Sequence, residues 1–138
     1  SSEETANQPE GGNSLEEIAA GLYDGIDEMP KLGNMEITAE NEQYYLGTTG
    51  LNFTEALASE AMITSIAHSV CLVRMADGED IEAAKAQIKE KCDPRKWICV
   101  GVEPEDVIVD NVGNVIILIM TEFSPEQIHE NFLSLAAE

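Results

Sequence analysis

Basic residues are scarce in this chain. Seven Lys and Arg stand against 27 Asp and Glu in 138 residues, a formal net charge of −20. All seven lie between Lys31 and Lys96, so both ends of the chain carry acids without Lys or Arg. A field of that sign repels phosphate backbones and anionic headgroups, so neither nucleic acid nor electrostatic docking to a membrane surface is expected. Solubility in a crowded or salty medium is the simplest account of such acidity. Aromatics are also few (three Phe, three Tyr, one Trp), which leaves aliphatic side chains and alanine to fill the core. Long apolar runs are missing: the longest, Val115–Met120, is strand-sized and far short of the ~20 residues a membrane-spanning helix needs. The three cysteines, Cys71, Cys92 and Cys99, are too few for a disulfide scaffold and lack the paired spacing of a zinc site. Cys92 and Cys99 are near enough in sequence to close a small ring, though spacing alone does not set connectivity. Cys71 reads as a small core residue within an apolar strand. Gly47-Thr48-Thr49-Gly50 lacks the lysine and the glycine spacing of a phosphate-binding or dinucleotide-binding loop.

What is present is a pattern of strands and amphipathic helices. The length suits a single domain with a real core. Ser1–Asn13 is polar and has almost nothing to bury, so it reads as a flexible linker, with one α+β domain over 14–138. Ser14 and Glu17 make a capping-box pattern, followed by Leu15, Ile18, Ala19, Leu22, Tyr23 and Ile26 on one helical face, with Met29-Pro30 as the stop. Thr38 is placed to cap a short helix over Glu40–Leu46, closed by Gly47. Phe53–Ile63, weakened by alanines, and Ile66–Met75, apolar on both faces, read as strands. Asp80 caps a helix whose buried stripe is Ile81, Ala84, Ile88 and Cys92, ended by Asp93-Pro94. Trp97, in the irregular stretch that follows, is suited to plug an end of the core. Asp106–Asp110 and Val115–Thr121 flank Asn111-Val112-Gly113-Asn114 and read as a β-hairpin. Ser124, Pro125 and Gln127 open a last helix with apolar face Ile128, Phe132, Leu135 and Ala136.

The expected order is therefore α-α-β-β-α-β-β-α: an antiparallel sheet of about four strands, with helices packed on one face. The two strand–helix units beginning at Val70 and Val115 should share that sheet and place their helices on the same side.

No constellation in this pattern assigns a catalytic, cofactor-binding or metal-ligating residue. His68 and Cys71 lie three apart in a strand, so their side chains point to opposite faces and cannot form a nucleophile–base pair. Glu126 and His129 share a helix face as in carboxylate-bridged metal helices, but no second such helix exists, and an exposed polar pair is the simpler account. Glu103, Glu105, Asp106, Asp110, Asn111 and Asn114 offer oxygens of the kind calcium prefers, without the spacing of an EF-hand loop; turn chemistry explains the asparagines.

The segments Glu42-Gln43-Tyr44-Tyr45-Leu46-Gly47, Val70-Cys71-Leu72-Val73-Arg74-Met75, Ile81–Lys91 and Asn114–Met120 together resemble a family of small lipoproteins of Gram-positive bacteria, domain of unknown function 4358. Trp97-Ile98-Cys99-Val100 stands where that family often has a tyrosine-containing segment. The resemblance implies export and a lipidated cysteine upstream of Ser1, anchoring the domain to the outer face of the cell membrane by way of the polar linker. The chain opens on Ser rather than Met, so an upstream segment is expected to have been removed, either by a processing enzyme or by artificial trimming. No catalytic residue or cofactor comes with the resemblance. The expected function is thus a non-enzymatic interaction or ligand-binding module for a protein or small molecule. The rival is a hydrolase or transferase built from scattered residues such as Glu55, Glu60, His68 and Arg74.

Overall fold

The computed structural model describes residues 13–63, 65–97 and 100–137. Its elements run α1 (Leu15–Gly21), β1 (Leu32–Glu36), α2 (Glu42–Leu46), β2 (Phe53–Ala61), β3 (His68–Met75), α3 (Ile81–Lys91), a 3-10 turn (Pro104–Asp106), β4 (Ile108–Val112), β5 (Val115–Thr121) and α4 (Pro125–Ala137). No described helix is long and apolar enough to cross a membrane. The class is α+β with one antiparallel sheet, as the sequence suggests, but the sheet has five strands in the order β1-β2-β3-β5-β4. The extra strand, β1, is Leu-Gly-Asn-Met-Glu, mostly exposed and with no alternating apolar signal. It becomes a strand by pairing with β2, from Leu32↔Ala61 to Glu36↔Leu57, and it forms one edge of the sheet.

Helices cover both faces, which corrects the one-sided arrangement expected from the sequence. Val70 and Leu72 of β3 and Val115, Ile117 and Ile119 of β5 pack with Leu15 and Ile18 of α1, Leu22 just beyond it, and Ile128 and Phe132 of α4. The alternate residues Cys71, Val73, Met75, Ile116, Leu118 and Met120 pack with Tyr45 and Leu46 of α2 and Ala84 and Ile88 of α3. The physical reason lies in the two central strands: every residue of β3 and β5 is buried, so one layer of helices would leave half of their apolar side chains in water. The two strand–helix units do share the sheet, as neighbours from His68↔Thr121 to Arg74↔Val115, but their helices lie on opposite faces.

Several local expectations are realised. Ser14 and Glu17 form the complete capping box, and the Asp80 carboxylate accepts from the Ala83 amide. Others shift. Helix α1 stops at Gly21, well before Met29-Pro30. The Asn131 amide of α4 donates to the carbonyls of Leu22 (2.8 Å) and Asp24 (2.9 Å), so those groups are satisfied without further helix. At Gly21 an added Cβ would stand 2.9 Å from Leu135 Cδ1, which marks the close approach of α1 and α4. Helix α2 begins at Glu42 rather than Glu40, with Asn41 Oδ1 accepting from the Thr38 amide at 2.7 Å. Gln127 reaches along α4 to Asn131 instead of back to Ser124. The hairpin turn is only Gly113-Asn114, because Asn111 and Val112 belong to β4 and Val112 pairs with Val115. Of the polar linker, Ser1 to Gly12 lie outside the described residues, as does Cys99 and with it any pairing to Cys92. Asn13 is tied to the domain, its amide donating to the Leu135 carbonyl at 2.9 Å and its carbonyl accepting from Arg74 at 3.1 Å.

Gly47 joins the two covering elements of one face. Its φ of 79° ends α2 in the left-handed region, and a Cβ there would lie 2.1 Å from the Lys91 carbonyl oxygen at the end of α3. Backbone has to move to admit it. Gly47→Ala should therefore cost about 2 kcal/mol or more in urea denaturation, whereas Gly78→Ala, at a similar φ of 84° but in open space, should cost about half that.

Candidate functional site

The four residues of the catalytic alternative do not assemble. Glu60 faces the α2/α3 side of the sheet, while Glu55, His68 and Arg74 belong to the α1/α4 side, with His68 and Arg74 near opposite ends of β3. Arg74 Nε donates to Glu55 Oε2 at 2.8 Å, closing that pair on itself.

His68 stands in a closed chain of polar contacts instead. Nδ1 lies 2.7 Å from Thr121 Oγ1 and Nε2 lies 2.9 Å from the Tyr23 hydroxyl, which is itself 2.8 Å from Ser59 Oγ. The ring is fully buried, with the Tyr23 and Phe123 rings 5.5 and 6.1 Å away. Burial holds the imidazole down at about 4 and pushes the Tyr23 phenol up to about 12, despite the Ser59 hydrogen bond. A serine, a tyrosine and a histidine in hydrogen-bond contact resemble catalytic equipment. Ser59, His68 and Thr121 are sealed in the core, however, so the chain of contacts holds strand ends to the α1 turn.

Cys71 projects to the opposite face from His68, as strand alternation requires. Burial raises its thiol to about 12, with Lys96 and the Ser69 hydroxyl only partly offsetting that.

The oxygen-rich hairpin is also internally engaged. His129 is half-buried rather than exposed, and its Nε2 lies 2.7 Å from Asp110 Oδ2, while Glu126 is exposed. Asp110 Oδ1 accepts from the Asn111 amide at 2.8 Å and lies 3.9 Å from Lys85 Nζ. Burial alone would raise this carboxyl, but the His129 ring, the Asn111 amide and Lys85 together hold it below the usual carboxylate range. Asn114 Nδ2 donates to the Met75 carbonyl at 2.8 Å, and Asp106 closes the 3-10 turn that also contains Glu105. Among the described residues no three His, Cys, Asp or Glu side chains gather as a metal site.

Two features among the described residues bear on ligand binding. A cleft of about 340 Å³ runs between α1 and the edge strand β1, lined by the apolar side chains of Leu15 and Leu57 and by Glu16, Asn34, Met35, Glu36 and Glu55. The second is a cage on the other face. Lys96 Nζ contacts Glu60 Oε2 and sits 4.1 Å from the ring centroid of Tyr44, 5.0 Å from Tyr45 and 5.3 Å from Trp97. Only 5% of the Lys96 side chain and 9% of that of Glu60 are exposed. Neither feature is visible as a motif: the cage draws on positions 44–45, 60 and 96–97, which only the sheet brings together. A partial signal exists in Tyr44-Tyr45 and Lys96-Trp97, because so few aromatics are present in the chain.

Two outcomes follow from these environments. His68 takes up a proton at about 4 in the native state and at about 6.5 when unfolded, so its contribution is fully present above pH 6.5 and is lost as pH falls toward 4. The loss should approach about 3 kcal/mol at most, measured as the wild-type stability decrease from pH 7 to pH 4 minus that of His68→Gln, which cancels the background of titrating carboxylates. Cys71 should resist alkylation in the folded protein and react at the rate of unfolding; labelling as fast as that of a free thiol would show that its strand is accessible.

No family model, curated protein or solved structure matches this chain.

Proposed function

We propose that this domain is a non-enzymatic binding module, held at the outer face of the cell membrane by a lipid anchor upstream of Ser1, and that it receives a cationic ligand. The observation that carries the binding role is the cleft beside β1. It combines an apolar lining with exposed carboxylates at Glu16 and Glu36, in a molecule of charge −20. Such a recess attracts positive charge from a distance and offers apolar contact on arrival. The polar groups that a hydrolase or transferase would need are instead consumed within the fold: Arg74 by Glu55, Glu60 by Lys96, and His68 by Tyr23 and Thr121. The anchor rests on the family resemblance and on the polar segment Ser1–Asn13, which suits a tether between lipid and domain. The ligand is a basic peptide or a small organic cation.

Tri-lysine and tri-glutamate, titrated at matched ionic strength, test the cationic preference. Tri-lysine should bind, and Glu36→Lys should weaken it by about fivefold or more, while the same charge change at the exposed, remote Glu90 should have a much smaller effect. Equal loss in both variants would reduce the binding to general attraction by net charge and overturn the assignment to the cleft.

A further inference from the structure

Three of the seven aromatic residues in this chain converge on a single ammonium group, with a carboxylate in contact with it. Burial of apolar surface does not account for that arrangement. Tyr44 is 54% exposed, yet its ring is the one nearest to Lys96 Nζ, and it packs edge-on against Tyr45 with centroids 4.9 Å apart. Tyr45 belongs to the core below and the half-buried Trp97 packs against it, while Tyr44 stands at the surface. The occupant comes from the connection between α3 and β4, on a flexible stem of four methylenes.

We propose that this cage is a binding site for the ammonium group of an external alkylamine, with Lys96 as its tethered occupant. Each contact that Lys96 makes is available to another primary ammonium: the faces of Tyr44, Tyr45 and Trp97 supply cation–π attraction, and Glu60 accepts a charge-assisted hydrogen bond. Glu60 sets the preference within the class. It is largely buried and needs a donor, so an ammonium bearing N–H fits and a quaternary ammonium, which has none, leaves the carboxylate unsatisfied. Lys96 competes at the effective concentration of a short tether, on the order of millimolar, so a free amine displaces it only above that level and a ligand with additional contacts does so below it. The cage lies on the opposite face from the cleft beside β1, does not depend on it, and adds a second, chemically narrower site for positive charge.

The test uses the intact protein with its lysines labelled at the ε-carbon. Ring currents from three aromatic faces should place the Lys96 ε-methylene resonance apart from those of the other four lysines. Adding n-butylammonium to about 100 mM, against sodium at equal ionic strength, should move that resonance toward the others as Lys96 is displaced. The lone Trp97 should report the same event by fluorescence. Tetramethylammonium should need about tenfold more for an equal response. The tripeptide Gly-Lys-Gly separates the sources of the ammonium: a response at lower concentration than butylammonium assigns the site to a lysine on a partner chain, and an equal one assigns it to free amines. Lys96→Ala should bind butylammonium about tenfold more tightly than wild type, because the tethered competitor is gone. Tyr44→Ala, which alters an exposed wall and leaves the core intact, should lose the response. A Lys96 resonance that stays in place in the wild type at every amine concentration overturns the proposal. So does displacement by tetramethylammonium as readily as by butylammonium. Neither outcome depends on whether Lys96→Ala folds, and neither bears on the cleft, whose test reads Glu36.

Discussion

The constraint on which the rest of this structure depends is that β3 and β5 are apolar on both sides. Val70, Leu72, Ile117 and Ile119 point one way, and Cys71, Val73, Ile116 and Leu118 the other, all essentially without solvent exposure. Neither face can be left to water, so the four helices of the described residues are divided between them. The connections make the division feasible. From β3 the chain crosses one face as α3 to reach the edge strand β4, and the β4–β5 hairpin then returns it to the centre. Helix α4 leaves β5 and folds onto the other face, where α1 already lies.

Covering both faces creates the polar problem that the buried network solves. His68, Ser59 and Thr121 come from strand ends that α1 and its following turn overlie, and each is supplied with a hydrogen-bond partner. No buried side-chain nitrogen or oxygen among the described residues lacks a partner. Full satisfaction is what makes such a network compatible with stability, since an orphaned polar group in the core costs about 1–3 kcal/mol. On the other face the same requirement is met by the Lys96–Glu60 contact within the aromatic cage. The two polar centres therefore differ in kind. One is sealed between strands, whereas the other is walled on one side by an exposed tyrosine.

Much of the fold was legible. The capping box at Ser14, the cap at Asp80, the stripe of α3, the span Val115–Thr121 and the face of α4 all follow from short-range rules, because hydrogen bonding within one turn and side-chain periodicity are local properties. What was missed depended on partners remote in sequence. β1 carries no strand signal and exists because β2 offers it a ladder. Helix α1 ends at Gly21, and the carbonyls of Leu22 and Asp24 in the turn after it are taken up by Asn131, more than a hundred residues away. Ile66–Met75, apolar on both faces, carries in its sequence the argument for cover on both sides of the sheet.

The candidate sites follow the same division. By itself the sequence determined the acidity, the shortage of aromatics, the amphipathic helices and the opposed directions of His68 and Cys71, since composition and strand alternation need no tertiary information. Only the tertiary structure decided which face each helix took, that the hairpin carboxylate Asp110 meets His129, and that Tyr44, Tyr45, Glu60 and Trp97 close around Lys96. The reason is physical: a cage is a meeting of side chains from a helix, a strand and a loop, and their separation along the chain carries no trace of it. The apolar faces of β3 and β5 set those elements side by side, and the cation then finds its walls.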